Sequence, residues 1–215
     1  SVAVPSALLD GNYSVAVSVS DTAGNTGSAN DVGSIDATSP SITVSAPDNT
    51  NDNTPLISGT TDAAVGSTVS IIITQGATTQ TFTTTVQTGG TYSVAVPAVL
   101  VDGNYSASAS VTDTAGNTSS ANDVGSIDAT APTISVSAPD NTNDTTPTIS
   151  GTTDAAIGST VTVILTQGAV TQTFTTTVQV GGTYSVAVPA ALVDGNYSVS
   201  ASVTDTAGNT GSAND

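Results

Sequence analysis

From Tyr197 the chain alternates without a break: Tyr197, Val199, Ala201 and Val203 interleave with Ser198, Ser200, Ser202 and Thr204. A period of two places the apolar set on one face of a strand and the polar set on the other, which predicts a half-buried strand. Shorter alternating or apolar runs at 133–136, 146–150, 160–166, 172–180 and 183–188 carry the same signature. They are rich in Val, Ile, Thr and Tyr and are bounded by Gly, Pro, Asn and Asp, the residues of strand ends and turns. Helical periodicity is absent throughout.

The pattern repeats. Ser93-Val94-Ala95-Val96-Pro97 recurs at 185–189 and at 1–5, and aligning 39–123 with 131–215 gives 71 identical pairs out of 85. The spacing is 92 residues, and near-identity of this kind marks a tandem array without marking functional positions. Two segments rich in Pro, Asp and Thr, 35–40 and 127–132, read as linkers. The expected organisation is the end of one repeat at 1–38, a complete repeat at 39–130 and a repeat cut before its last strand is complete at 131–215. With the counterpart of 119–127 added, each repeat holds about seven short antiparallel strands, the signature of an all-β chain of tandem immunoglobulin-like sandwiches. Tyr13, Tyr105 and Tyr197 follow an Asp-Gly-Asn turn and resemble a tyrosine corner, with the ring in the core and the hydroxyl on a backbone group.

Composition narrows the chemistry. The chain has 17 acidic residues, all Asp, and no Lys, Arg, His, Cys, Met or Trp. The usual general bases, activated nucleophiles and oxyanion clamps are therefore missing, and no enzyme is expected. A net charge of −17 argues against nucleic acid and against anionic membrane surfaces. No apolar run is long enough to span a bilayer, so no direct membrane insertion is expected, and the first residues lack the regions of a signal peptide. The segment reads as cut from something longer. The Asn-X-Ser/Thr sequons, such as that at Asn104, read as chance.

The aspartates gather where strands end. Asp48 and Asp52 lie in the loop after the first predicted strand of the middle repeat, Asp62 after the second, Asp102 before the penultimate strand and Asp113 after it, with Asn117 four residues on and Asp123 beyond. Asp36 and Asp128 sit in the linkers. In the last repeat the corresponding positions are Asp140, Asp144, Asp154, Asp194, Asp205 and Asn209. An immunoglobulin-like topology brings Asp48, Asp52, Asp102 and Asp128 to the end where the chain leaves the middle repeat, facing Asp154, Asp205 and Asn209 across the linker. Carboxylates converging without a cation call for a divalent ion. Calcium suits six to eight hard oxygen ligands, whereas zinc would want Cys or His. The bland reading of the same residues is turn chemistry and solubility.

The segments 140–152 (Asp-Asn-Thr-Asn-Asp-Thr-Thr-Pro-Thr-Ile-Ser-Gly-Thr), 194–198 (Asp-Gly-Asn-Tyr-Ser) and 205–209 (Asp-Thr-Ala-Gly-Asn) resemble bacterial immunoglobulin-like repeats. More narrowly, they are similar to the extender repeats of giant calcium-dependent adhesins, including ice-binding and biofilm adhesins secreted by type I systems. The resemblance implies an extracellular stalk of neighbouring repeats on the bacterial surface, rigidified by Ca2+ at loops and linkers, with another domain binding the host, biofilm or ice target. A second expectation is that the repeats themselves hold a sugar or ice, through calcium or through the alternating Thr79, Thr81, Thr83 and Thr85.

Overall fold

The structure, a computed structural model, describes residues 2–215. Among them every regular element is a strand. A hairpin of β1 (Gly11–Ser20) and β2 (Thr26–Ile35) comes first. The middle repeat holds β3 (Leu56–Thr60), β4 (Thr68–Gln75), β5 (Thr78–Thr85), β6 (Thr91–Ala95), β7 (Gly103–Thr112) and β8 (Thr118–Ile127). The last repeat holds β9 (Thr148–Thr152), β10 (Thr160–Gln167), β11 (Val170–Thr177), β12 (Thr183–Ala187), β13 (Ser198–Thr204) and β14 (Thr210–Asn214).

Each repeat forms a four-stranded sheet, in the order β5-β4-β7-β8 or β11-β10-β13-β14, and a two-stranded sheet, β3-β6 or β12-β9. The alternation expected of the chain sets their inner faces. In β4, Val69, Ile71 and Ile73 are buried and stand opposite Val111, Ala109 and Ala107 of β7. Ile57, Val86 and Tyr92 close the same core, each at most 1% exposed. In the last repeat Val161, Val163 and Leu165 face Val203, Ala201 and Val199. Full burial of such side chains contributes about 1.5–3 kcal/mol apiece, an upper bound because unfolded chains already bury part of that area.

The strand expected at 133–136 is reduced to two bridges, Ile134 with Thr153 and Ser137 with Ser150, and the middle repeat repeats this at Ile42 and Ser45. The cause is a tyrosine. The Tyr184 hydroxyl donates to the Ser135 carbonyl at 2.5 Å, which takes that oxygen out of a regular ladder. A Cβ on Gly151 would lie 2.0 Å from the same oxygen, so only glycine lets the segment come this close.

Among the described residues β1 pairs with β2 alone. Val15, Val17 and Val19 are 45%, 59% and 72% exposed, whereas their counterparts Ala107, Ala109 and Val111 are buried beneath β4. Compact packing divides the chain into two units. One comprises the residues up to Ala46, Leu56–Val96 and Ser106–Asp123; the other comprises Pro47–Pro55, Pro97–Tyr105 and Val124–Asp215. The second unit therefore contains the last repeat, the 127–132 linker and two loops of the middle repeat.

Candidate functional site

The sequence Asp-Thr-Ala-Gly-Asn folds the same way in all three copies. Asp113 Oδ1 accepts from the Ala115 and Asn117 amides at 2.9 Å each, and its Oδ2 accepts from Asn117 Nδ2 at 2.9 Å. Asp205 does the same with Ala207 and Asn209, and Asp21 with Ala23 and Asn25. Gly116 and Gly208 adopt φ of 98° and 96°, the left-handed region that closes the turn without a Cβ penalty. The carboxamide at the end of each loop, with the backbone N–H groups behind it, holds Asp21, Asp113 and Asp205 below the ordinary aspartate value, because these bonds favour the ionised carboxyl.

That carboxamide also reaches out of its own loop. Asn209 Nδ2 donates to the main-chain carbonyl of Asp128 at 2.7 Å, and Asn117 Nδ2 donates to the carbonyl of Asp36 at 3.0 Å. Each linker is gripped from its other side by an aspartate. Asp102 Oδ1 accepts from the Ala129 amide at 2.8 Å while its Oδ2 accepts from the Thr130 hydroxyl. Asp10 does the same with Ala37 and Thr38. The hydroxyl and then the amide hold Asp10 and Asp102 below the usual carboxylate range. One linker is thus clamped by a loop on each side, and the arrangement occurs twice.

The loop 48–53 lies against the following Asp-Thr-Ala-Gly-Asn loop. Asn49 Nδ2 donates to Thr206 Oγ1 at 3.2 Å, and a Cβ on Gly208 would meet Asn51 Nδ2 at 3.3 Å. Asp52 Oδ1 accepts from the Thr54 amide and hydroxyl, and Asp144 accepts likewise from Thr146. Asp62 accepts from the Ser41 amide, Asp154 from the Thr133 amide and hydroxyl, and Asp123 from the Ala46 amide at 2.9 Å. The carboxylates of Asp36 and Asp128 turn back on Thr38 and Thr130 two residues on. Asp140, Asp144, Asp194 and Asp215 line one cavity of about 560 Å³ with Leu192 and Tyr197.

These loops are where the sequence places them, at the strand ends, and Asp102, Asp128 and Asn209 do meet at one linker. The expected convergence of carboxylates is a different matter: among the described residues no three acids stand close enough to share an ion. Most of the carboxylates instead accept from N–H and O–H donors within reach of a short side chain. Several members of the clamp escaped the sequence pattern. Asp10 and Thr130 belong to it, and Asp36 and Asp128 join through main-chain carbonyls that no residue type can signal. Asn49 was readable in principle, since its φ of 47° is a conformation that Asn tolerates better than most residues.

A family model for a bacterial Ig-like domain matches residues 29–129 and 123–215, and a second model of the same description matches 1–36. The chain belongs to the bacterial Ig-like domain family. No curated protein matches it. Among solved structures, a tetra-tandem repeat in the extending region of a large adhesion protein is 38% identical over 97% of this chain, with a TM-score of 0.42. A Ca2+-stabilized adhesin with which an Antarctic bacterium reaches out and binds ice is 29% identical over 95% of the chain, at 0.48. A 1.5-MDa bacterial ice-binding adhesin is 27% identical over 96%, at 0.44. The chain spans 57% and 55% of the first two of these and 74% of the third. Bacterial Ig-like repeats are a structural family.

The donor set of these Ig-like loops fits a hard cation in kind, being Asp, Asn and Thr oxygens and backbone carbonyls with no sulfur or imidazole. Ionised carboxylates offer about four lone-pair directions, so an oxygen that already accepts one or two protein N–H groups retains capacity. None of the aspartates is buried, so each is open to an ion from solvent.

Proposed function

We propose that these repeats are the extender segment of a large bacterial surface adhesin, a stalk that projects a binding domain located elsewhere in the parent protein. The observation that carries this reading is the clamp repeated at both linkers, where an Asn of the following loop and an Asp of the preceding turn hold the same few residues. A tandem chain whose function is reach needs linkers with few conformations, and a hydrogen-bonded linker loses less extension to bending than a free one. The repeat boundaries that go with this reading are 1–38, 39–130 and 131–215.

Calcium belongs to the proposal as a stabiliser of the same loops. A hard dication supplies charge neutralisation to a chain that carries no positive side chain of its own. The candidate ligands are Asp48, Asp52, Asp102 and Asp128 at one end of the middle repeat, and Asp140, Asp144 and Asp194 at the matching end of the last, acting singly or in pairs with neutral Thr, Asn and backbone oxygens rather than as one carboxylate cluster. Asp62, Asp113 with Asn117, Asp123, Asp154, and Asp205 with Asn209 are the further candidates. Secretion by a type I system, an extracellular setting and a host, biofilm or ice target are the further parts of the reading, and they rest on the resemblance of the sequence.

The test is thermal unfolding followed by circular dichroism, with several millimolar calcium, with magnesium and with a chelator. A calcium-specific rise in Tm supports metal-stabilised extender repeats; an unchanged Tm in all three removes calcium and leaves an Ig-like spacer held by hydrogen bonds. The second reading, ligand binding by the repeats themselves, draws on the outward Thr79, Thr81, Thr83 and Thr85 of the edge strand β5. Failure of the protein to shape ice crystals or to bind a glycan array would exclude it.

A further inference from the structure

The two aspartates that clamp the linkers are each followed by glycine, in Asp10-Gly11-Asn12-Tyr13 and in Asp102-Gly103-Asn104-Tyr105. The aspartate serves the linker. Asp102 Oδ1 accepts from the Ala129 amide at 2.8 Å and Oδ2 accepts from the Thr130 hydroxyl, and Asp10 holds Ala37 and Thr38 in the same way. The glycine serves the backbone. Gly11 opens β1 with a φ of 132° and Gly103 opens β7 with a φ of 122°, whereas a Cβ on either would meet nothing within 4 Å. Conformation rather than crowding therefore requires glycine, so neither member of the pair is exchanged without losing the clamp or the start of the strand.

The same pair is chemically labile. With no Cβ to shield it, a glycine nitrogen can attack the Cγ of the aspartate before it and close a five-membered succinimide. The N–Cγ bond forms and one Cγ–O bond breaks, and the departing oxygen leaves as water with the amide proton and the carboxyl proton. Water then reopens the ring. Cleavage at the new bond restores aspartate, whereas cleavage at the main-chain carbonyl leaves the chain running through Cβ and Cγ as isoaspartate, with no oxidant, reductant or cofactor. At Asp102 the structure holds this attack off. The carboxyl would have to turn Cγ onto the next nitrogen, yet its two oxygens are anchored to residues 27 and 28 positions further on. Asp102 and Gly103 are exposed, so water reaches the pair freely and burial gives no protection.

We propose that Asp10-Gly11 and Asp102-Gly103 are isoaspartate-forming modification sites that the linker clamp keeps closed. While the linker is bonded, the carboxylate oxygens stay on its amide and hydroxyl; when the linker swings out, the carboxyl turns freely and the ring can close. The product does not return to the clamp. Isoaspartate adds one carbon to the main chain immediately before β7 and carries its free carboxylate directly on Cα, out of reach of the positions that Ala129 and Thr130 present. Each release of a linker is thus an opportunity for permanent loosening, and a stalk of such repeats ages first at its linkers. That consequence rests on the extender reading; the chemistry does not, and it uses no metal.

The experiment ages the whole chain in warm neutral buffer with a chelator and measures isoaspartate at each position by chymotryptic peptide mapping and mass spectrometry. The parent, Thr130→Val and Thr130→Ser are compared, with the parent held unfolded in urea as the rate of an open pair. Thr130→Val removes one hydroxyl donor to a carboxylate and should form isoaspartate at Asp102 about tenfold faster than the parent, the factor that goes with one hydrogen bond to a charged group. Thr130→Ser keeps the hydroxyl and should match the parent. Asp10-Gly11, whose clamp on Thr38 is untouched, is the control within the same molecule and should keep its parent rate. Equal rates at Asp102 in the parent and in Thr130→Val overturn the clamp as guard, as does a parent rate equal to that in urea. Equal acceleration at Asp10 and Asp102 overturns it as well, since general unfolding is then the cause. These rates are read without reference to what the repeats extend, so a failure here leaves the extender reading standing.

Discussion

Replacing Tyr184 by Phe removes one hydroxyl and nothing else, and the structure makes its cost calculable. The ring is 2% exposed, and its hydroxyl is the one donor to the Ser135 carbonyl, which is wedged over Gly151. Without the hydroxyl the carbonyl keeps a protein environment and loses its partner, which costs about 1–2 kcal/mol at a partly buried position. For a domain of this size each kcal/mol lowers Tm by roughly 4–8 °C, so a loss near 4–16 °C is expected for the transition of the last repeat. The change Tyr105→Phe, at the tyrosine near the start of the penultimate strand of the middle repeat, provides the contrast. The Pro47 carbonyl would still accept from the Ser126 amide, so no acceptor is orphaned and about 0.5–1 kcal/mol is expected. The assay is differential scanning calorimetry of both variants in one buffer. Equal losses, or a larger loss for Tyr105→Phe, would refute the reasoning that the orphaned carbonyl sets the cost.

Acidification should destabilise the fold through its loop aspartates. Asp102, Asp113 and Asp205 have folded pKa values depressed below the ordinary 3.8. Their contribution is therefore present above about pH 4 and is lost as pH falls through the lower folded values, which a circular dichroism titration from pH 7 to pH 2 would follow. The alkaline side has the opposite sign. Burial pushes Tyr92 and Tyr184 up to about 12 from 10.0, so the neutral phenol is favoured by folding and stability should fall as pH rises from about 10 towards 12. Absorbance of phenolate at high pH, recorded with the unfolding curve, checks it, and ionisation of all five tyrosines together near pH 10 without loss of structure would contradict it. Asn209→Ala should loosen the linker in small-angle scattering even without calcium, because it removes the donor to the Asp128 carbonyl, while Asp128→Asn should alter the profile only when calcium is present.

The strand pattern was legible because period two is a property of the chain alone, and β10 and β12 fall within a residue of the runs 160–166 and 183–188. The segment at 133–136 was misjudged for a reason outside its own sequence: the Tyr184 hydroxyl, 49 residues away, takes the carbonyl that a ladder would have used. The candidate site was legible as a set of loops and only in part as a geometry. Charge repulsion among aspartates suggested a shared ion, yet many of the donors that answer these carboxylates are backbone amides, which every residue but proline carries and which leave no trace in a sequence. Asp128 shows the limit most clearly. It was singled out for its carboxylate, and the group that engages the next loop is its main-chain carbonyl.

The absence of Glu among 17 acids separates turn chemistry from charge. A β-carboxylate reaches amides two to four residues on, as Asp205 does with Ala207 and Asn209, whereas an added methylene moves the oxygens beyond that turn. Asp205→Glu keeps the charge and discards the geometry; Asp205→Asn keeps one acceptor oxygen in place and discards the charge. If the loop is held by its hydrogen bonds, the Glu variant should show the larger drop in Tm and the larger change in scattering, and the Asn variant should stay near the parent in the absence of calcium. If the carboxylate instead serves chiefly as a metal ligand, the order reverses when calcium is added, with Glu tolerated and Asn damaging. Identical behaviour of the two variants with and without calcium would contradict both roles, and would leave Asn209 as the residue that fixes the linker without help from Asp205.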